Sequence, residues 1–373
     1  MIDSFLHEMP GSRVVFGAGA ISKIPREAER LSMTRPLVLS TPGQKEQAER
    51  VLQLLEGDTA GLFADARRHT PIDVTEAAIQ FAREHRADGL IAVGGGSTTG
   101  LSKAIALRTD LPQIAVPTTY AGSELTPILG ETRDGLKTTQ RSGKVLPEVA
   151  IYDVALTLTL PVPVSVCSGF NAIAHAAEAL YAQNCSPVIL LIAEEALRAI
   201  TTALPQIVAD PSGLPGRNGA LYGAWLSGIC LGSAGMALHH KLCHVLGGTF
   251  DLPHAETHTV VLPHALRHNL AGAPDARLRI ARAVGHSDPA AGLQALARQL
   301  GAPTALRDLG MPEDGLDHAA ELAIRDPYWN PRPVTRHVIR ELLQQAWQGT
   351  VLGAQPIDQP ARNGSCAIPM KPA

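Results

Sequence analysis

Up to about Asp153, short apolar runs rich in β-branched residues alternate with segments whose apolar positions recur every three or four residues. The runs Arg13-Val14-Val15-Phe16, Pro36-Leu37-Val38-Leu39, Gly89-Leu90-Ile91-Ala92-Val93, Gln113-Ile114-Ala115-Val116 and Val149-Ala150-Ile151-Tyr152 predict strands. Amphipathic stretches at 44–55 and 73–85 predict helices between them. Such alternation is the pattern of an α/β domain built on a mainly parallel sheet. Beyond Leu160-Pro161-Val162-Pro163 the strand pattern ends, and Ala/Leu-rich stretches such as 188–204, 293–300 and 335–348 predict an all-helical second domain. The expected division is an α/β NAD(P)-binding domain over 1–158, an all-helical substrate and catalytic domain over 159–353, and a disordered tail over 354–373. That tail carries Pro356, Pro360, Gly364, Pro369 and Pro372 and no apolar face. No internal repeat is visible. A ligand site belongs in the cleft between the domains, at the carboxyl ends of the strands.

One stretch, 218–238, is uncharged and long enough to imitate a membrane span. Its glycines, including the pairs Gly219/Gly223 and Gly228/Gly232, predict instead a buried helix that another element approaches closely. Across 373 residues, 45% apolar content is ample for two domain cores. With 32 basic and 35 acidic residues and a net charge of -3, the chain has no bias toward nucleic acid or an anionic membrane, so an anionic substrate must be met locally. The five cysteines are scattered without a Cys-x-x-Cys, which argues against a disulfide framework and a thiolate zinc site and for a reducing cytoplasm. Met1-Ile2-Asp3-Ser4-Phe5 has no secretory signal character.

Candidate chemistry concentrates in two places. Gly94-Gly95-Gly96-Ser97-Thr98-Thr99-Gly100 follows a predicted strand and opens a helix, where glycines let backbone N–H groups approach a phosphate. A structural turn explains such a loop equally well on its own. Pro117-Thr118-Thr119-Tyr120 after the next strand offers further hydroxyls, and two such loops at adjacent strand ends favour a dinucleotide held by Gly94, Gly95, Gly96, Ser97, Thr118 and Thr119. Ser40, at the end of an earlier strand, joins this set. No acidic residue follows it to bind ribose hydroxyls and repel a 2′-phosphate, so NADH and NADPH both remain open.

The second place is His239-His240-Lys241-Leu242-Cys243-His244, followed by His254. His240 and His244 share a helix face, as do Asn171 and His175 upstream, so these side chains can meet in one pocket. It has the geometry of a metal site with an amide where a carboxylate belongs. His239 points away from His240 and is expected in the core. Lys241 is a candidate partner for a substrate carboxylate, Tyr120 a candidate to line the nicotinamide or substrate space, and Cys243 a packing residue.

Together Gly94-Gly95-Gly96-Ser97, Pro117 to Glu124, Gly169 to Ala179, His239 to Gly248 and Asn330-Pro331-Arg332-Pro333-Val334-Thr335 resemble the iron-containing alcohol dehydrogenase superfamily, and within it the maleylacetate reductase branch. The resemblance covers about Arg13 to Leu352. It implies the dehydroquinate synthase-like, iron-containing alcohol dehydrogenase fold, an NAD(P)H-dependent reduction in the cleft, and a cytoplasmic homodimer. The family's metal ligands would fall on Asn171, His175, His240 and His254, with His244 nearby. Asn171 replaces an Asp, as in the maleylacetate reductases, so no catalytic metal is expected and the four positions form a vestigial site. Gly100 and Ala255 also depart from the superfamily pattern. The implied reaction is reduction of the C=C bond of maleylacetate, chloro-substituted or not, to 3-oxoadipate during breakdown of aromatic compounds. The small dicarboxylate would meet Asn171, Tyr120 and Lys241. His244 and His254 are then the candidates for oxyanion stabilisation and proton donation, with His175 and His240 completing the polar wall. The competing readings are an Fe- or Zn-dependent alcohol dehydrogenase acting on a small aldehyde or alcohol, and a non-catalytic small-molecule binder.

Overall fold

The structure, a computed structural model, describes residues 5–9, 11–55, 57–133 and 136–353. The expected disorder of 354–373 lies outside the described residues. The strands are β1 (Arg13–Phe16), β2 (Pro36–Leu39), β3 (Gly61–Phe63), β4 (Gly89–Gly94), β5 (Gln113–Pro117), β6 (Ile128–Arg133), β7 (Leu136–Arg141) and β8 (Val149–Tyr152). The first-half helices are α1 (Ile24–Arg30), α2 (Lys45–Leu54), α3 (Ile72–Glu84) and α4 (Gly96–Thr109). The second half holds α5 (Val162–Ala179), α6 (Pro187–Ala209), α7 (Leu214–Ser233), α8 (Leu238–Phe250), α9 (His254–Asn269), α10 (Pro274–Val284), α11 (Pro289–Gln299), α12 (Gly315–Arg325) and α13 (Arg336–Gln348).

Six strands form one parallel sheet in the order β1-β8-β5-β4-β2-β3. The central strands β2, β4, β5 and β8 are buried throughout because helices cover both faces, which is why they read as continuous apolar runs. From β2 the chain moves outward to β3 and then returns to β4 on the other side of β2. The sheet therefore changes direction between β2 and β4, where the loops at their carboxyl ends part and leave a crevice. β6 and β7 form a separate antiparallel hairpin.

Two sequence expectations need correction. The glycine run is not a loop throughout, since α4 already begins at Gly96. The stretch 218–238 is not one helix: α7 stops at Ser233, and α8 departs at 95° to it. Among the described residues no single helix is long and apolar enough to cross a membrane. The predicted close approaches are present. A Cβ at Gly223 would lie 2.4 Å from Ile200 of α6, and one at Gly228 would lie 2.8 Å from the carbonyl oxygen of Gly122, in the loop after β5. Helix α7 thus carries that loop directly on its backbone. One apolar core joins the halves, taking Tyr120, Ala150 and Tyr152 from the sheet side with Phe170, Ile173 and Leu221 from α5 and α7.

Candidate active site

At the crevice, three loops lock together. The Thr118 N–H donates to the Gly94 carbonyl at 3.1 Å, and the Gln44 amide donates to the Thr118 hydroxyl. A Cβ on Gly94 would lie 2.3 Å from Thr98 Oγ1, and one on Gly95 2.9 Å from Thr119, so only glycine permits this closeness. Gly95 is the N-cap of α4 and offers no side chain to its first amides. Thr98 and Thr99 turn back onto the Gly95 carbonyl at 3.1 Å, leaving the N–H groups of Gly96 and Ser97 to face outward. Ser40 is fully buried beside this site, and its hydroxyl has no hydrogen-bond partner among the described residues. The arrangement fits an anionic dinucleotide: a helix start with free amides and a cradle that any side chain would fill.

Across the cleft, His69 Nε2 reaches Asp251 at 3.7 Å, and Asp251 stands just before α9, whose first residue is His254. Asn171 and His175 lie one turn apart on α5, 4% exposed each. His240, on α8, is 3% exposed; its Nδ1–H donates to Glu178 Oε2 at 2.7 Å. Glu178, fully buried on α5, also accepts from the N–H groups of Ala237 at 2.8 Å and His239 at 2.9 Å. This carboxylate caps the start of α8 and sets the His240 ring at once. Asn171 Oδ1, His175 Nδ1 and His240 Nε2 have no partner among the described residues. Burial, and then the charges of His240, His254 and His244, holds the His175 imidazole well below its ordinary range.

The sequence missed two residues of this wall. His258, one turn after His254, is fully buried with its ring 4.4 Å from that of His254, 5.0 Å from His240 and 6.4 Å from His175. Glu178 lies three residues after His175. Both had a signal, the i, i+4 and i, i+3 spacings that mark a shared helix face. His244 and His254 are exposed, so they stand at the solvent edge of this imidazole cluster, and His244 Nδ1 is 3.0 Å from the Tyr328 hydroxyl. Lys241 is half-buried with Nζ 5.6 Å above the Tyr328 ring. His239 is fully buried, as expected of a core residue, yet its ring reaches His258. Tyr120 departs from the expectation that it lines the substrate space. It is fully buried in the shared core, its N–H is held by Ser168 Oγ at 2.7 Å, and burial raises its phenol despite the nearby Arg217 guanidinium. Its apolar ring is worth more between the halves than beside water.

Do these residues fit the metal that the resemblance implies? His175 and His240 stack, with centroids 5.1 Å apart and planes inclined at 26°. Among the described residues the only His, Cys, Asp or Glu group with ligand atoms all within 4.8 Å is His239, Cys243 and His258, and Asn171 brings no charge. With an uncharged amide at Asn171, and with His175, His240 and His254 not bringing their ligand atoms within 4.8 Å of one another in this structure, the donor set is a weak one for a divalent ion.

A phosphate-type cradle on a parallel sheet, facing a helical domain lined with imidazoles, defines an oxidoreductase of the two-domain kind. Residues 11–154 match the family described as iron-containing alcohol dehydrogenase, and residues 165–347 match the C-terminal part of the Fe-containing alcohol dehydrogenase family. A maleylacetate reductase of Burkholderia cepacia is 53% identical over 348 residues, spanning 93% of this chain and 99% of that protein. The crystal structure of maleylacetate reductase from Agrobacterium tumefaciens superposes with a TM-score of 0.91 at 51% identity, covering 94% of this chain and 100% of that one. That from Rhizobium sp. strain MTP-10005 gives 0.89 at 51% identity, covering 93% and 99%. The chain belongs to the iron-containing alcohol dehydrogenase family.

Proposed function

We propose that the chain is an NAD(P)H-dependent maleylacetate reductase that works without a catalytic metal. The observation that carries the reading is the donor set: beside His175 and His240 the family's metal position holds the buried, uncharged amide of Asn171 where the metal-dependent pattern calls for a carboxylate. The identity to maleylacetate reductases along nearly the whole chain supports the substrate. Maleylacetate is a dicarboxylate with a C=C bond conjugated to a ketone. A reduced nicotinamide held at Gly94 to Ser97, Thr118 and Thr119 supplies hydride to the alkene carbon remote from the ketone. Negative charge then collects on the ketone oxygen, and protonation of the carbon beside the ketone yields 3-oxoadipate.

The residues divide this work. Preorganised donors in a dry pocket must hold the oxyanion, and loss of one typically costs about 2.7–4 kcal/mol of barrier. The neutral Asn171 amide can donate there without adding charge. His244 and His254, at the solvent edge, exchange protons with water and suit delivery of the proton. Lys241 stands beside them as a cation for a substrate carboxylate. The test is NAD(P)H oxidation by metal-stripped protein with maleylacetate and with simple aldehydes. Full activity on maleylacetate after stripping is the expected result. Activity that follows iron or zinc occupancy and prefers aldehydes would replace the reading with a metal-dependent alcohol dehydrogenase.

A further inference from the structure

His258 is a buried imidazole of this cluster with one ring nitrogen already committed to a neighbouring ring. Its Nδ1 lies 2.9 Å from His239 Nε2, both residues are fully buried, and the rings meet edge to face with centroids 4.8 Å apart. One hydrogen is shared between these nitrogens, so the tautomer of one ring fixes that of the other. On the far edge, His258 Nε2 is buried with no partner among the described residues, and the rings of His254, His240 and His175 lie around this imidazole with centroids 4.4, 5.0 and 6.4 Å from its own. A buried ring nitrogen left unpaired is costly, and such atoms in a pocket are matched by a ligand.

The direction of the shared hydrogen follows from His240. Its Nδ1–H is spent on Glu178, so His240 Nε2 keeps a lone pair, on a ring whose centroid lies 5.0 Å from that of His258. A second lone pair beside it would repel it; a hydrogen on His258 Nε2 complements it. His239 then donates from Nε2, His258 accepts at Nδ1, and the pocket receives an N–H. The Cys243 thiol, 3.7 Å from His239 Nε2, is pushed well above its usual range by burial and by Glu178, and packs against His239 as a neutral group.

We infer that His258, oriented by His239, is a catalytic hydrogen-bond donor to the substrate oxygen on which charge accumulates, leaving proton delivery to the exposed His244 and His254. The inference rests on the reading that the reaction forms an enolate, and it adds a second donor to the Asn171 amide in the dry interior, where a fixed dipole acts most strongly.

Two substitutions separate donation from packing. His258→Asn keeps an amide facing His239 and removes the donor beyond it; His258→Gln extends an amide N–H close to the position of Nε2. With maleylacetate and NADH, the expected result for His258→Asn is a kcat about a hundredfold lower with NADH affinity unchanged, and for His258→Gln recovery to within about tenfold of the parent. Equal losses in the two, or none in His258→Asn, would overturn the assignment. Nitrogen-15 spectra of histidine-labelled protein should show His258 protonated at Nε2 and His240 at Nδ1; the reverse tautomer of His258 would also overturn it. So would one tightly held zinc per chain lost in Cys243→Ser, which would assign His239, Cys243 and His258 to a metal. Protein inert to maleylacetate but active on an aldehyde would remove the functional reading instead, and the same variants assayed on that aldehyde would still decide the role of His258.

Discussion

The amide oxygen of Asn171 is buried, one turn from His175, and has no partner among the described residues. Restoring a charge at that atom should restore ion binding. Asn171→Asp is expected to raise zinc or ferrous affinity about 10- to 100-fold. Calorimetric titration would show it, and the same weak binding by both proteins would mean that Asn171 does not face the imidazoles. Ser97, at the second position of α4, tests the opposite face of the cleft. A carboxylate there competes with phosphate for the helix-start amides, so Ser97→Glu should weaken NADH binding about tenfold or more while the melting temperature changes little. Fluorescence titration against a folded control measures it; unchanged affinity would move the dinucleotide elsewhere. At this scale the sequence was readable wherever a residue's position follows from spacing, as for Asn171 and His175 on one face of α5. The partners of His258 were not, because whether its ring meets His239 depends on how α8 crosses α9.

Elements were legible in proportion to their burial and length. β4, β5 and β8 are apolar on both faces and stand out as continuous runs, whereas β3 has three half-buried residues at the sheet edge. The β6–β7 hairpin is built from polar residues such as Glu131, Thr132, Thr138 and Thr139, which carry no clear alternation. The break between α7 and α8 was hidden because apolar residues continue through 234–238 while the chain turns. What the glycines of α7 do is testable. At Gly228 a new methyl group would meet the Gly122 carbonyl oxygen and Cα, backbone atoms that cannot rotate away. Gly228→Ala should therefore cost about 1–3 kcal/mol, whereas Gly248→Ala, with nothing within 4 Å of its Cβ, should be neutral or stabilising. Urea midpoints of the two variants give the comparison, and equal midpoints would mean that the loop after β5 is not seated on α7.

The whole molecule answers to pH through histidines that are buried without a charge. His264 is 3% exposed, and burial, reinforced by Arg267 and Arg298, pulls its imidazole down to about 4. A depressed folded value means that the unfolded chain binds the proton first, so its contribution is intact above about pH 6.5 and is lost as pH falls from there toward 4. Between pH 7.5 and 5 this one residue should account for about 2 kcal/mol of lost stability. His264→Phe should lose that much less over the same interval in urea titrations, and an identical loss would show that His264 is not held neutral.

The register of the large sheet also bears on how the chain is made. Arg13 to Phe16 pair with Val149 to Tyr152, so β1 waits for a neighbour that is synthesised more than a hundred residues later. The β2, β3 and β4 pairings can form earlier, but the edge carrying β1 stays open until nearly the entire first half has been synthesised. Until then β1 presents unpaired amides and carbonyls to any passing strand. A truncation ending before Val149 would leave that edge permanently bare, and a newborn fragment of that length is the form of this protein most exposed to aggregation and to capture by chaperones.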